Sequence, residues 1–198
     1  RQGISDNDVL SAIERVPREM FVPEAMRAEA YENIPLPISQ GQTISQPFIV
    51  AYMTQALRLG ERNRILEIGT GSGYQSAVLA QLSRRVCTVE RYRTLLRQAE
   101  TCFEALKLHN ITTRLGDGSK GWPELAPFAR IIVTAAAPDM PQSLAEQLDD
   151  GGIMVVPVGT SGDQVLYRIT RQGQELKEER LLDVRFVPLV EDIPPSRA

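Results

Sequence analysis

The chain has 198 residues, of which 42% are apolar and 24% charged, a balance that is typical of a folded globular protein and excludes disorder. Its net charge of −3 gives no basic surface, which argues against nucleic acid or an anionic membrane as a partner. No apolar run approaches the roughly 18 residues that a membrane-spanning helix needs. The two cysteines and the single histidine form no cluster with metal-site spacing, so we expect no metal.

The N-terminal part of the chain predicts helices followed by a long loop. Asp6 or Ser5 can begin a helix whose apolar residues share one face. Residues 32–47 contain three prolines, one glycine and many small polar groups, a composition typical of a functional or disordered loop. Pro47 then begins a helix that Gly60 closes, in the order of proline first and glycine last that helices favour.

The middle of the chain alternates strands and helices. The apolar pattern predicts strands at 65–68, 86–90, 112–115, 131–134 and 153–158. It predicts helices at 74–82, 93–108 and 141–148, and a turn at Gly151-Gly152. From residue 164 onward only strands are predicted, over 164–171 and 181–190. This order predicts an α/β fold with a mostly parallel sheet, helices on both faces and an antiparallel hairpin at one edge.

The most informative stretch is R-I-L-E-I-G-T-G-S-G at 64–73, a short buried strand followed by three alternating glycines and a helix. Strand, glycine turn and helix form the first half of a nucleotide-binding βαβ unit. Gly69, Gly71 and Gly73 are needed there because any Cβ would hold a ligand away from the backbone N–H groups at the start of the helix. Thr70 lies between the first two.

Three carboxylates indicate which nucleotide binds. The G-x-G-x-G spacing differs from the G-x-G-x-x-G of dinucleotide binders. Glu67, Glu90 and Asp117 fall at or near the carboxyl ends of predicted parallel strands, where open α/β sheets bind ligands. Such a set suits the ammonium and sulfonium groups of S-adenosylmethionine better than a pyrophosphate. Glu90 is placed to accept from both ribose hydroxyls and Asp117 from the adenine amino group; alternatively, Glu67 and Asp117 only cap loops.

The segment Thr43-Ile44-Ser45 and the absence of a strong general base indicate the acceptor. A carboxylate, with a pKa of roughly 3.5 to 4, is already ionised at neutral pH and needs only to be oriented toward the methyl carbon. The segment supplies hydroxyls and N–H groups for that purpose, although spacing alone favours Ser45 as the N-cap of the following helix. After strand 131–134, T-A-A-A-P-D-M-P lacks the polar and aromatic clamp of nucleic-acid base methyltransferases.

The segments G-Q-T-I-S-Q-P at 41–47 and I-L-E-I-G-T-G-S-G-Y-Q at 65–75 strongly resemble the protein-L-isoaspartate O-methyltransferase family. Further matches are V-E-R (89–91), G-D-G (116–118), G-W (121–122), A-A-A-P (135–138), G-G-I-M-V-V-P-V-G (151–159) and R-F-V-P-L (185–189). The resemblance implies a Rossmann-like class I S-adenosylmethionine-dependent methyltransferase fold. It also implies methyl transfer from S-adenosylmethionine, with S-adenosylhomocysteine as product, to the free α-carboxylate of L-isoaspartyl residues in damaged proteins, which begins their repair.

The resemblance also implies roles for individual residues. Ser45 corresponds to the family's active-site serine, and Val187 to Val190 would help wall the peptide groove. The expected cofactor contacts, from the residues and the resemblance together, are Thr43, Ile44, Ser45, Glu67, Gly69, Thr70, Gly71, Gly73, Glu90, Asp117 and Gly118. The chain has Ala129 and then Arg130 where the family usually has Asp after A-P-F, which we expect to affect packing or charge rather than chemistry. Phe48 in place of histidine resembles the bacterial branch.

We expect a single methyltransferase domain over 1–198. Its parts are the N-terminal helices and covering loop at 1–60, the cofactor-binding core at 61–160 and a C-terminal hairpin region at 161–198. We expect a cytoplasmic monomer that acts on isoaspartyl proteins and peptides, not on nucleic acid or membranes. Two other classes stay open on sequence alone: a small nicotinamide-dependent oxidoreductase, and a catalytically silent ligand-binding or interaction protein.

The cysteines and the histidine are predicted to have structural roles. Cys87 lies in a predicted strand and Cys102 on the apolar face of a predicted helix, so both are expected in the core. His109 follows that helix, where a cation would complement the helix dipole as an end cap.

Overall fold

The computed structural model describes residues 3–160 and 162–192, so the parts of the predicted terminal segments at 1–2, 161 and 193–198 lie outside the described residues. In chain order the helices and strands are α1 (Asn7–Arg15), β1 (Leu36–Pro37), β2 (Thr43–Ile44), α2 (Pro47–Ala56), β3 (Arg64–Ile68), α3 (Tyr74–Ala80), β4 (Arg85–Glu90), α4 (Arg93–Ala105), β5 (Ile111–Leu115), β6 (Phe128–Val133), α5 (Gln142–Ala145), β7 (Leu148–Thr160), β8 (Asp163–Gln172) and β9 (Glu175–Val184).

Seven strands form one sheet in the order β5-β4-β3-β6-β7-β8-β9. The pairs from β5 to β7 are parallel, whereas β8 is antiparallel to both of its neighbours. This confirms the predicted mostly parallel sheet with antiparallel strands at one edge. The chain runs outward from β3 to β5 and then returns to the other side of β3 with β6. Loops that follow β3 and β6 therefore diverge and open a crevice at the carboxyl ends of the strands.

Helices cover both faces of the sheet, as predicted. Alternate side chains of β3 point to opposite faces because successive residues of a strand do so. Ile65 packs with Met53 of α2 and Leu79 of α3 on one face. Leu66 packs with Leu144 of α5 on the other. A strand buried on both faces needs a continuous apolar run, which explains why β3 shows no apolar–polar alternation.

The long loop that the sequence predicts at 32–47 is structured. Strands β1 and β2 pair antiparallel, with Leu36 opposite Ile44 and Pro37 opposite Thr43. Leu36 and Ile44 are buried in the same apolar cluster as Val50 of α2, which fixes this small hairpin against the body of the protein. The hairpin therefore holds Thr43 and the residues after it in a defined place.

Two predictions in the middle of the chain were wrong. The helix predicted at 141–148 covers only four residues, because β7 already begins at Leu148 and includes Gly151 and Gly152. The β6–β7 pairing shifts register between Phe128 and Arg130, and Gly151 has a φ of 70°, which favours glycine. The two glycines thus form an irregularity within a strand, a pattern that the sequence alone presents as a turn.

His109 does not cap α4, contrary to prediction. The helix ends at Ala105, and Lys107 adopts a left-handed conformation with a φ of 55°, which turns the chain away. His109 is exposed beyond that turn. Both cysteines are free thiols, with Cys87 buried and Cys102 half-buried.

The C-terminal residues 185–190 leave the sheet after β9, although the sequence predicts a strand there. Ala136 donates its N–H to the carbonyl of Val187 at 2.8 Å, and Leu189 donates to the carbonyl of Ala136 at 2.7 Å. The segment therefore lies along the chain that follows β6, near the carboxyl ends of the central strands. Across residues 3–160 and 162–192, no helix has the length and apolarity required to cross a bilayer.

Arg130 stabilises the end of α2. The helix stops at Ala56 rather than near Gly60, and Arg58 takes a left-handed φ of 50°. The Nε of Arg130 donates to the carbonyl of Leu57 at 2.6 Å, and its Nη2 donates to that of Arg58 at 3.0 Å. A cation here complements the helix dipole and satisfies carbonyls that have no helical partner. Arg130 thus serves local structure at the end of α2.

We expect Arg130→Ala to lower the free energy of unfolding by about 2 kcal/mol, the size of charge-assisted hydrogen bonds lost from a half-buried group. Urea unfolding measures the change, and the exposed Arg62→Ala serves as the matched control, expected to stay within about 0.5 kcal/mol. Equal stability of Arg130→Ala and the wild type would contradict a capping role.

Candidate active site

The crevice between β3 and β6 is held by Thr134, the first residue after β6. Its hydroxyl lies 2.7 Å from the carbonyl oxygen of Gly69, the first residue after β3, and 3.0 Å from that of Ile68. A Cβ on Gly69 would lie only 2.4 Å from the Thr134 Oγ1. A residue larger than glycine at position 69 would therefore clash with this hydroxyl, and it would also keep a ligand away from the backbone.

Glu90 joins the glycine turn to the next strand. Its Oε2 accepts from the N–H of Gly71 at 2.9 Å, and its Oε1 accepts from the N–H of Tyr92 at 2.9 Å. The side chain is only 5% exposed, so these two backbone donors fix its position. Each carboxylate oxygen can accept a second hydrogen bond, and Glu90 lines a cavity from which hydroxyl groups of a ligand can donate.

Three neighbouring cavities open along the carboxyl ends of the strands. The strand-end cavity, of about 70 Å³, is bounded by Gly69, Gly71, Glu90, Gly118 and residues 187–190. The turn cavity, of about 50 Å³, is bounded by Ile44, Ser45, Thr70, Gly71, Tyr74 and Gln75. The open groove, of about 620 Å³, is bounded by Ser45, Gln46, Ile49, Arg185, Phe186 and Val187.

Thr43 and Thr134 each line all three cavities. The two residues therefore mark a junction where the strand-end cavity, the turn cavity and the open groove meet. We call this place the junction. Of the segment expected to wall a peptide groove, Val187 lines both the open groove and the strand-end cavity, whereas Pro188 to Val190 line the strand-end cavity.

Most of the residues predicted from the sequence line these cavities. They are Thr43, Ile44, Ser45, Gly69, Thr70, Gly71, Glu90 and Gly118. Glu67, Gly73 and Asp117 line none of the three. The structure gives each of these three residues a different position, described in turn.

Glu67 lies in the core beneath the glycine turn. Its side chain is fully buried and accepts a hydrogen bond from the hydroxyl of Ser76, while its Oε1 has no hydrogen-bond partner among the described residues. Burial raises the pKa of Glu67 to about 8, against the opposing effect of the hydrogen bond from Ser76 and of the nearby hydroxyl of Thr88. The side chain is therefore not brought to the cavities, because Glu67 lies within the paired part of β3, opposite Thr88, where Ser76 of α3 covers it.

Gly73 and Asp117 have local structural roles in this structure. Gly73 has a φ of 90°, and a Cβ there would lie 2.8 Å from the ring of Phe103, so glycine lets α4 approach α3. Asp117 accepts from the N–H of Ser119 at 2.9 Å, and its other oxygen lies 3.3 Å from Lys120 Nζ. Burial alone would raise the pKa of Asp117, but hydrogen bonds, first that of the Ser119 hydroxyl, lower it. In this structure Asp117 therefore caps a turn, which is the alternative role that the sequence left open.

Ser45 does not cap α2, because the N-cap is Gln46. Its backbone carbonyl instead accepts from Arg18 Nη2 at 2.8 Å, and Arg18 Nε donates to the carbonyl of Ala30 at 2.6 Å. The guanidinium carbon lies 4.8 Å from the ring centroid of Tyr74, and Arg18 is fully buried. A buried cation is costly unless it is well bonded. Two of the three guanidinium nitrogens of Arg18 are bonded to backbone carbonyls, one of them that of Ser45, whereas Nη1 has no hydrogen-bond partner among the described residues.

Arg18 and Thr134 are the residues of the site that sequence reasoning missed. Arg18 stands among apolar anchors near Phe21 and gives no local sign of its distant carbonyl partners. Thr134 carried a usable signal, since it is a polar residue at the carboxyl end of the strand predicted at 131–134, the edge where open α/β sheets bind ligands. Across residues 3–160 and 162–192, no group of three or more His, Cys, Asp or Glu residues could hold a metal ion.

The sheet order, with a glycine turn after β3 and a carboxylate at the end of β4, defines a class I S-adenosylmethionine-dependent methyltransferase fold. Residues 1–193 match the model of the family described as Protein-L-isoaspartate(D-aspartate) O-methyltransferase, PCMT. The chain belongs to this family. It is 61% identical over 196 residues to the protein-L-isoaspartate O-methyltransferase of Parvibaculum lavamentivorans, which covers 98% of this chain and 88% of that protein.

Solved structures agree with this assignment. A protein-L-isoaspartate O-methyltransferase superimposes with a TM-score of 0.87 at 29% identity, over 97% of this chain and 63% of that longer chain. A beta-aspartate methyltransferase (PCMT) from Plasmodium falciparum, in complex with S-adenosyl-L-homocysteine, superimposes with a TM-score of 0.85 at 29% identity, over 97% of this chain and 94% of that one.

We expect Glu67→Gln to remove a pH-dependent part of the stability. A glutamate in the unfolded chain ionises at about pH 4.3. Between that pH and about 8, folded Glu67 holds a proton that the unfolded chain has released. Its contribution to the free energy of unfolding therefore falls as the pH rises, by up to about 1.4 kcal/mol per pH unit.

Urea unfolding at several pH values within that window measures this difference between wild type and variant. The exposed Glu14→Gln on α1 is the matched control and should keep the wild-type pH dependence. Parallel pH curves for the wild type and Glu67→Gln would show that Glu67 does not retain its proton in the folded protein.

Proposed function

We propose that this chain transfers the methyl group of S-adenosylmethionine to the free α-carboxylate of L-isoaspartyl residues in damaged proteins and peptides, and so begins their repair. The observation that carries this function is the junction. There, an open groove of about 620 Å³ meets two smaller cavities beside the glycine turn and Glu90. Family membership supplies the reaction.

Each cavity would receive a different part of the two reactants: the ribose, the amino-acid part of the cofactor, or the isoaspartyl segment. Glu90 would accept from the ribose hydroxyls in the strand-end cavity, and the N–H groups near Thr70 and Gly71 would face the amino-acid part in the turn cavity. The isoaspartyl segment would occupy the open groove beside Ser45. Both smaller cavities are narrower than a nucleoside, so binding would move the exposed Thr43 side of the hairpin outward.

Bound S-adenosylmethionine supplies an electrophilic methyl group on a sulfonium. The residues of this chain would provide orientation. The acceptor carboxylate is already ionised at neutral pH, so no side chain has to remove a proton. The hydroxyls of Ser45 and Thr43 would hold the carboxylate oxygen in line with the bond that breaks, which is where orientation contributes most to rate. Arg18 would keep Ser45 in place by its hydrogen bond to the backbone carbonyl of Ser45.

Methyl transfer from labelled S-adenosylmethionine to an isoaspartyl peptide tests this function. The same peptide with a normal aspartyl linkage is the control. We expect label in the isoaspartyl peptide alone. Equal or absent labelling of the two peptides would overturn the proposal, and binding of S-adenosylhomocysteine without any turnover would favour a silent ligand-binding protein.

We expect Ser45→Ala to lower turnover by roughly 10- to 100-fold, because the carboxylate loses a donor that fixes its approach. Affinity for S-adenosylhomocysteine, measured by calorimetry, should change much less. Ser83→Ala is the matched control, since Ser83 bonds the carbonyl of Leu79 and lines none of the three cavities. A variant whose main defect is cofactor affinity would make Ser45 a binding residue instead.

We also propose that the protein is a cytoplasmic monomer with a single catalytic domain. In it, residues 61–160 form the cofactor-binding core, to which residues 1–60 and 161–198 add the remaining parts. The net charge of −3 supports a protein rather than a nucleic acid as substrate. The open groove supports a peptide segment as the part recognised.

A further inference from the structure

Thr134 stands where charge changes during the proposed reaction. Of the two residues that line all three cavities, Thr43 belongs to the exposed hairpin, whereas Thr134 directly follows the buried strand β6. The backbone N–H of Thr134 donates to the carbonyl of Ile68 at 2.9 Å, which extends the sheet pairing into the junction. Thr134 is therefore the rigid side of the junction.

The hydroxyl of Thr134 can act toward the junction only as an acceptor. A hydroxyl has one hydrogen and two lone pairs. Its oxygen lies 2.7 Å from the carbonyl oxygen of Gly69 and 3.0 Å from that of Ile68. Carbonyl oxygens only accept, so the hydroxyl hydrogen is donated to one of them. These two contacts do not use the lone pairs of Oγ1, and Thr134 lines all three adjoining cavities.

We infer that Thr134 makes the site discriminate between S-adenosylmethionine and S-adenosylhomocysteine by accepting a contact from the sulfonium end of the cofactor. This inference rests on the proposed function. In the transfer, the carboxylate oxygen forms a bond to the methyl carbon, and the electron pair of the broken carbon–sulfur bond stays on sulfur. No proton moves. The sulfonium becomes a neutral thioether while the carboxylate becomes a neutral ester.

An oxygen that only accepts interacts more favourably with the cation than with the neutral product. The methyl and methylene groups on a sulfonium carry more positive charge than those on a thioether, so their C–H···O contacts with Thr134 are stronger before transfer than after it. Such a contact favours reactant over product at the same place in the site, and it helps S-adenosylhomocysteine to leave once the charge is gone.

A purely structural role predicts something different. If Thr134 only holds the carbonyl of Gly69, loss of its hydroxyl distorts the glycine turn and weakens both ligands by the same factor. Discrimination by charge instead weakens the cationic ligand alone. The ratio of the two dissociation constants separates the two roles, even where the variant is somewhat less stable.

Calorimetric titration of both ligands into the wild type, Thr134→Val and Thr134→Ser tests the inference. Valine has the shape of threonine without the hydroxyl, and serine keeps the hydroxyl. We expect Thr134→Val to raise the dissociation constant of S-adenosylmethionine about threefold to tenfold relative to that of S-adenosylhomocysteine, and Thr134→Ser to keep the wild-type ratio. Thr113→Val is the control, because Thr113 lies in β5 and lines none of the three cavities.

Equal weakening of both ligands in Thr134→Val, or an unchanged ratio, would overturn the inference and leave the proposed function intact. A changed ratio in Thr134→Ser as well would also overturn it, because serine retains the acceptor. A wild type that binds both ligands but methylates no isoaspartyl peptide would refute the proposed function, while the ratio would still report on Thr134. A wild type that binds neither would overturn both.

Discussion

One buried guanidinium, that of Arg18, holds together the parts of the molecule that form the site. It bonds the carbonyl of Ala30 in the N-terminal segment and that of Ser45 in the loop, and it stacks on Tyr74 of α3. In the described parts of the chain, no carboxylate forms an ion pair with it. Loss of the cation would leave two buried carbonyls without their donor. The position of Ser45 beside the glycine turn thus depends on a contact between the side chain of Arg18 and the backbone carbonyl of Ser45.

Two glutamates on neighbouring parallel strands show how environment decides the role of a carboxylate. Glu90 borders a cavity, and two backbone N–H groups hold its oxygens. Glu67 is fully buried, and desolvation raises its pKa to about 8, so its carboxyl keeps a proton at neutral pH. The first can receive hydroxyl groups of a ligand, whereas the second belongs to the core. The difference arises from depth along the sheet: Glu67 pairs with Thr88 inside the parallel ladder, whereas Glu90 lies two residues beyond Thr88, at the edge.

Local patterns predicted the sheet, the glycine turn and the loop that carries Ser45, because strands, turns and helix starts depend on nearby residues. The same patterns could not separate Glu67 from Glu90, since the level of a residue within the sheet depends on the register with neighbouring strands. They also could not find Arg18, whose partners lie 12 and 27 residues away. Gly151 was misassigned for the same reason: a glycine inside an irregular strand and one in a turn look alike until the partner strand is known.

We propose that methyl transfer takes place at the junction of the three cavities, between Thr43 and Thr134. A crystal structure of the protein with S-adenosylhomocysteine and an isoaspartyl peptide tests this location. We expect the cofactor's sulfur at the junction, with the peptide carboxylate entering from the open groove beside Ser45. A sulfur bound away from Thr134, or a titratable side chain between the sulfur and the carboxylate, would show that the transfer does not occur in this way.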